Sequence, residues 1–127
     1  SNKDIKKFSD WMKTYLKDRI SDVKVSDRLT DSPAILVNPD DYMTTHMQKI
    51  MQATQAEFKM GNKVLEINPD SSIIQKMFKL WEADSNSEQL KLSTDQLTDN
   101  TFLLAGLPVD TKTMVDRIHK LMGNQVD

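Results

Sequence analysis

Cysteine is absent from the sequence, which excludes disulfide frameworks, thiolate zinc sites and cysteine nucleophiles. Histidine is almost absent: His46 and His119 are too few for a histidine-rich metal centre, and no metal ligands are assigned. Glycine is as scarce. Gly61, Gly106 and Gly123 stand far apart, so no glycine-rich loop is encoded to cradle a phosphate at a helix start. Nor does one sign of charge dominate. Seventeen Lys and Arg against 19 Asp and Glu leave a formal charge of -2, without the positive excess on which a nucleic-acid grip depends. No apolar run approaches the ~18 residues of a membrane helix. Neither nucleic acid nor membrane is expected as a partner.

The 127 residues suit one domain; a chain of this size buries roughly two-thirds of its unfolded surface, enough for a core. There is no initiator Met, and Ser1-Asn2 reads as the remnant of a cleaved tag. Residues 1–127 are therefore expected to be a single domain excised from a longer protein.

Ile5, Phe8, Trp11, Met12, Tyr15 and Leu16 recur at three- and four-residue steps and predict an amphipathic helix. Val23-Lys24-Val25 alternates as a strand does. Ala34-Ile35-Leu36-Val37, bounded by Pro33 and Pro39, and Val64-Leu65-Glu66-Ile67 predict two more. Two strands end in the same tripeptide, Asn38-Pro39-Asp40 and Asn68-Pro69-Asp70. Asn as cap, Pro in the first turn and Asp at the positive end of the dipole predict a helix after each. The first helix carries Met43, Met47, Ile50, Met51 and Phe58; the second carries Ile73, Ile74, Met77, Phe78, Leu80 and Trp81. Beyond the polar link Asp84-Ser85-Asn86-Ser87, Ser85 and Glu88 have capping-box spacing. A helix then runs through Leu90, Leu97, Phe102, Leu103 and Leu104 until Gly106 and Pro108 stop it. Asp110 caps a last helix that bears Met114, Val115, Ile118, Leu121 and Met122 and ends at Gly123. The expected fold class is α+β, a small three-stranded sheet with elements in the order α-β-β-α-β-α-α-α.

An enzyme without cysteine would lean on carboxylates, and Asp31, Asp40, Asp41, Asp95 and Asp99 are the candidates for an acid–base pair. No spacing singles out two of them. Asp40 and Asp70 read as helix starts and the others as solvated. His46 lies between Met43 and Met47 with no nucleophile beside it. The chain is read as non-catalytic. Lys3, Lys6, Lys7, Lys13 and Lys17, interleaved with Asp4, Asp10 and Asp18, read as a solvated helix face. Two apolar stripes leave alternatives open. Met43, Met47, Ile50 and Met51 are either core or a flexible, methionine-rich surface for varied apolar partners. The last two helices either pack back on their own sheet or meet their copy in a second chain as a four-helix bundle. The triplet Phe102-Leu103-Leu104, which spreads around more than one helix face, tilts the choice toward a subunit contact.

Specific segments add to these patterns. Arg28-Leu29-Thr30-Asp31-Ser32-Pro33-Ala34 resembles the Arg-Leu-Thr-Asp-x-Pro-Ala segment near the start of the C-terminal domain of the heat shock protein 90 chaperone family. Leu65-Glu66-Ile67-Asn68-Pro69 is similar to that domain's Leu-Glu-(Ile/Leu)-Asn-Pro segment, at the matching distance downstream. Asp95-Gln96, Leu104-Ala105-Gly106-Leu107 and Met114-Val115-Asp116-Arg117-Ile118 resemble the bacterial and organellar branch. The matches lie in order from about Phe8 to Met122. Two places depart from the pattern. Ser71-Ser72 stand where many relatives have His after Asn-Pro-x. The final Gly123-Asn124-Gln125-Val126-Asp127 shares only Val-Asp with the Met-Glu-Glu-Val-Asp tail by which the cytosolic eukaryotic branch recruits co-chaperones. The bacterial, cytoplasmic branch (the high-temperature protein G type) fits better.

The resemblance implies the C-terminal dimerisation domain of a molecular chaperone. Its last two helices, roughly Glu88 to Ala105 and Thr111 to Met122, would pair with those of a second copy as a four-helix bundle, with Leu97, Phe102, Leu103, Ile118, Leu121 and Met122 in the contact. It also implies that Met43, Ile50 and Met51 face unfolded or partly folded client proteins, with Met47 as an anchor. ATP and magnesium would belong to an N-terminal domain of the full-length family, with no cofactor in this fragment. The alternative is a stand-alone monomeric protein-interaction module without catalytic activity.

Overall fold

Phe8, Met12 and Leu16 follow one another at four-residue steps and are buried together, at 0, 0 and 2 % exposure. They form the inner stripe of the first helix and of the turn that closes it. The computed structural model describes residues 2–28, 31–38 and 63–124. Helix α1 spans Asn2–Tyr15. Its outer face carries the interleaved charges, among them Lys6 and Asp10 2.7 Å apart and both exposed.

Three strands follow: β1 at Asp22–Val25, β2 at Ala34–Val37 and β3 at Val64–Ile67. Their order in the sheet is β1-β3-β2, with β3 parallel to β1 and antiparallel to β2. The central position of β3 explains why all four of its residues are buried. Alternation puts Leu65 and Ile67 on the helix side, level with Val23, Leu36 and Ala34, where they join Phe8 and Met12 in one core. Val64 and Glu66 point to the opposite face.

Helix α2 spans Ser72–Ala83 and buries Ile74 and Met77. Its Phe78 and Trp81 pack around Phe8, with ring centroids 5.8 and 5.7 Å away. Trp11 and Tyr15 extend this aromatic group by stacking at 5.1 Å. Helix α3, Glu88–Leu104, carries more buried residues than any other helix described. Its buried residues include Leu90, Leu92 and Leu97 but also Thr94, Thr98 and Thr101. The threonines are tolerated because each hydroxyl donates to a carbonyl of its own helix, at 2.7–2.8 Å. Helix α4 spans Thr111–Asn124 and lies along α3.

The turn between α3 and α4 follows from its residues. Gly106 adopts φ +76°, a conformation that favours glycine. Its N–H donates to Leu103 O at 3.0 Å, and the Leu107 N–H donates to Phe102 O at 2.9 Å. These are the two bonds of a Schellman motif, which satisfies the last carbonyls of α3. Asp110 then caps α4 by accepting from Thr113 N at 3.1 Å.

The described residues give the order α-β-β-β-α-α-α with a mixed three-stranded sheet, an α+β fold. The helix expected between β2 and β3 lies outside the described residues. Two capping expectations are corrected. The N-cap of α2 is Ser71, whose Oγ accepts from Ile73 N; Asn68 instead accepts from Asp70 N in a tight turn before it. The N-cap of α3 is Ser87, accepting from Leu90 N, and Ser85 makes no capping box. Both helices begin later than the first capping residue that each polar link offers.

Candidate functional site

Helix α4 is amphipathic, yet among its described residues only Arg117 is buried. Val115 and Met122 are 39 and 58 % exposed, and Met114, Ile118 and Leu121 are half-buried. The end of α3 continues the surface, with Leu103 at 48 % and Leu104 at 86 % exposure. Beside them a groove of about 370 Å³ runs between α3 and the start of β2, lined by Pro33, Ala34, Leu97, Thr101, Leu103 and Leu104 among others. These apolar residues are gathered on one surface and not scattered singly, which makes it the candidate interaction surface.

Of the six residues implied in a subunit contact, Leu103 and Met122 are exposed and Ile118 and Leu121 half-buried. Phe102 is half-buried beneath the Arg19 guanidinium, 4.7 Å from its ring centroid. Leu97 belongs to the chain's own core at 5 % exposure, where it also lines the groove. Met43, Met47, Ile50 and Met51 lie outside the described residues, as do Asp40, Asp41 and His46.

The carboxylates on α3 are not solvated as expected. Asp99 is 3 % exposed and accepts from two arginines: Arg19 Nη2 at 2.5 Å and Arg117 Nη1 at 2.7 Å. Arg117 also donates to Gln96 Oε1 at 3.2 Å. One turn earlier Asp95 accepts from the Tyr15 hydroxyl at 2.8 Å. Burial pushes the Tyr15 hydroxyl well above the ordinary tyrosine range, and the hydrogen bond to Asp95 and its charge push it further. Arg19, Asp95, Asp99 and Arg117 border an open cleft of about 570 Å³. Each carboxylate has its partner, so the arrangement holds helices together and leaves no free acid–base pair at Asp95 and Asp99. No group of three acidic or histidine residues among those described could hold a metal ion. No helix among them is long and apolar enough to cross a membrane.

Arg117 was overlooked in the sequence, although a signal existed. It shares the stripe of Met114, Ile118 and Leu121, and an arginine on the inner side of a short helix needs a buried acceptor. The segments that carry the family resemblance also meet. Arg28 donates to both oxygens of Glu66, at 3.2 and 2.8 Å. The Asn68 side chain donates to Ser32 O at 3.2 Å, and its backbone N–H to Pro33 O at 2.8 Å. Arg28, Ser32 and Pro33 are thus fastened to β3 and the turn after it.

The family model described as Hsp90 protein matches residues 1–127, the whole chain. A chaperone protein HtpG from Oleidesulfovibrio alaskensis is 39% identical over 111 residues, 87% of this chain and 18% of the relative. One from Desulfotalea psychrophila is 36% identical over 121 residues, 91% of this chain and 19% of the relative. A mitochondrial TNF receptor-associated protein 1 homolog of Dictyostelium discoideum is 31% identical, covering 96% of this chain and 17% of that protein. The chain therefore spans less than a fifth of the length of these curated relatives. It belongs to the Hsp90 family.

Proposed function

We propose that this chain is the C-terminal dimerisation domain of a bacterial-type, cytoplasmic Hsp90 chaperone. Its role is to hold two protomers together through α3 and α4, which pair with their copies as a four-helix bundle. The observation that supports this reading is the state of α4. Its one buried residue among those described is charged, while its apolar side chains and those of Leu103 and Leu104 stand at the surface. A helix of 14 residues rarely holds its place in water without burying an apolar face. A second copy supplies that burial, and a stable contact of this kind covers on the order of 1,200–2,000 Å².

Client binding is the second part of the proposal. Met43, Ile50 and Met51 offer unfolded or partly folded proteins an adaptable apolar surface. The chain itself is non-catalytic in this reading, and ATP and magnesium act in an N-terminal domain of the full-length protein.

Sedimentation equilibrium over a wide concentration range tests the pairing, beside a chain carrying Leu103→Glu and Ile118→Glu. The expected result is a parent dimer that the two charges split into folded monomers. A parent that stays monomeric at high concentration would favour the stand-alone interaction module. Replacing Met43, Ile50 and Met51 by Ser should weaken holding of an unfolding protein and leave the dimer intact; unchanged holding removes the client role from these residues.

A further inference from the structure

One carboxylate joins three parts of the fold. Asp99 lies within α3 and accepts from Arg19 through Oδ1 and from Arg117 through Oδ2. Arg19 sits in the turn between α1 and β1, and its backbone N–H is tied to Leu16 O at 2.8 Å. It therefore belongs to the body of the domain. Arg117 belongs to α4, where its neighbours on the inner stripe are half-buried apolar side chains. Apolar contact is non-directional and would let α4 slide or rotate on α3. A guanidinium held by both Asp99 and Gln96 is directional and fixes the helix. Arg19 is itself held against α3, since its guanidinium lies over the Phe102 ring.

We propose that Asp99 is a positioning residue for α4. Its bridge between Arg19 and Arg117 sets the angle at which α4 leaves the body of the domain. Replacing a buried ion pair by apolar side chains often leaves stability unchanged, and orientation is what such a pair adds here. The consequence for dimer geometry rests on the pairing proposed above; the angle itself does not.

The chain has no cysteine, so nitroxide labels at Lys7→Cys and Lys120→Cys, both exposed, report the separation of α1 and α4. Dilution into excess unlabelled chain leaves only the distance within one protomer. The parent is expected to give one narrow distance. Arg117→Met, which keeps a long side chain and leaves Asp99 paired with Arg19, is expected to lose that narrow peak at unchanged helix content. Asp99→Asn should do the same, and if it does not fold, Arg117→Met decides. Ile74→Val, which loosens the core away from the bridge, should keep the parent distance. A narrow, unshifted peak in Arg117→Met overturns the proposal. Sedimentation of the same samples separates the two ideas. A monomeric parent with a broadened Arg117→Met removes the pairing and keeps the bridge; a dimeric parent with an unmoved distance does the reverse.

Discussion

Arg28 grips both carboxylate oxygens of Glu66, a residue of the central strand that is 4 % exposed. The pair joins an exposed cation to a buried anion, with 59 and 6 % of their side chains exposed. Water screens the arginine, so the full cost of breaking a buried pair does not apply. Arg28→Met is expected to cost about 1.5–3 kcal/mol, the range for hydrogen bonds to a charged group. Arg28→Lys should recover only part of this, because an ammonium cannot make the two-point contact. Urea midpoints of the three chains measure the difference, and a lysine variant as stable as the parent would refute the geometric argument.

The cap of α3 makes a sharper test because two serines compete for it. Ser87 accepts from Leu90 N, and its backbone carbonyl receives Lys91 N at 3.1 Å. Ser87→Ala should lower stability by roughly 1 kcal/mol. Ser85→Ala, at an exposed position in the link, should stay within about 0.5 kcal/mol of the parent. Thermal melts of the two variants compare them directly, and the reverse ranking would move the helix start.

What was legible in the sequence was set by local chemistry. The three strands and the inner stripe of α1 follow from periodicity, and the α3–α4 turn follows from Gly106 and Asp110. Caps were misplaced where several capping residues stand together, as at Asn68 and Ser71 or Ser85 and Ser87, since the choice depends on how the link packs. The bridge at Asp99 was missed for a different reason. Arg19, Asp99 and Arg117 are far apart in sequence, and only the packing of α4 along α3 and the turn after α1 brings them together. Exposure at Leu103 and Met122 could not be read from spacing, because a stripe looks the same whether its own chain or another covers it.

Acid should loosen the start of α4. The Asp110 carboxyl is held below its ordinary range, first by the Thr113 backbone N–H that it accepts. A carboxylate with a lowered folded value stabilises the fold above its ordinary range and loses that contribution as the pH falls through the lowered value. The protection of the Thr113 amide, its exchange rate taken relative to the intrinsic rate at each pH, should therefore fall as Asp110 protonates. Asp110→Asn offers an equally good cap that does not titrate, so the protection of Thr113 should stay flat over the same window. If parent and variant respond alike, the acid sensitivity comes from elsewhere.

The two described glycines should respond to alanine with opposite signs, although a Cβ at either meets nothing within 4 Å. At Gly106 the obstacle is the backbone alone. Its φ of +76° lies in the left-handed region, which costs a residue with a Cβ roughly 1–2 kcal/mol. Gly106→Ala should therefore destabilise the chain by about that amount, with Gly106→Asn less harmful because asparagine visits this region more readily. Gly123 lies within α4 at ordinary helical angles, where alanine is preferred to glycine by up to about 1 kcal/mol. Gly123→Ala should accordingly stabilise α4, by less than the full amount because it sits near the helix end. Denaturation midpoints decide the signs. Equal losses at both positions would mean that the surface around Gly123 is covered in solution, where an added methyl group meets a neighbour.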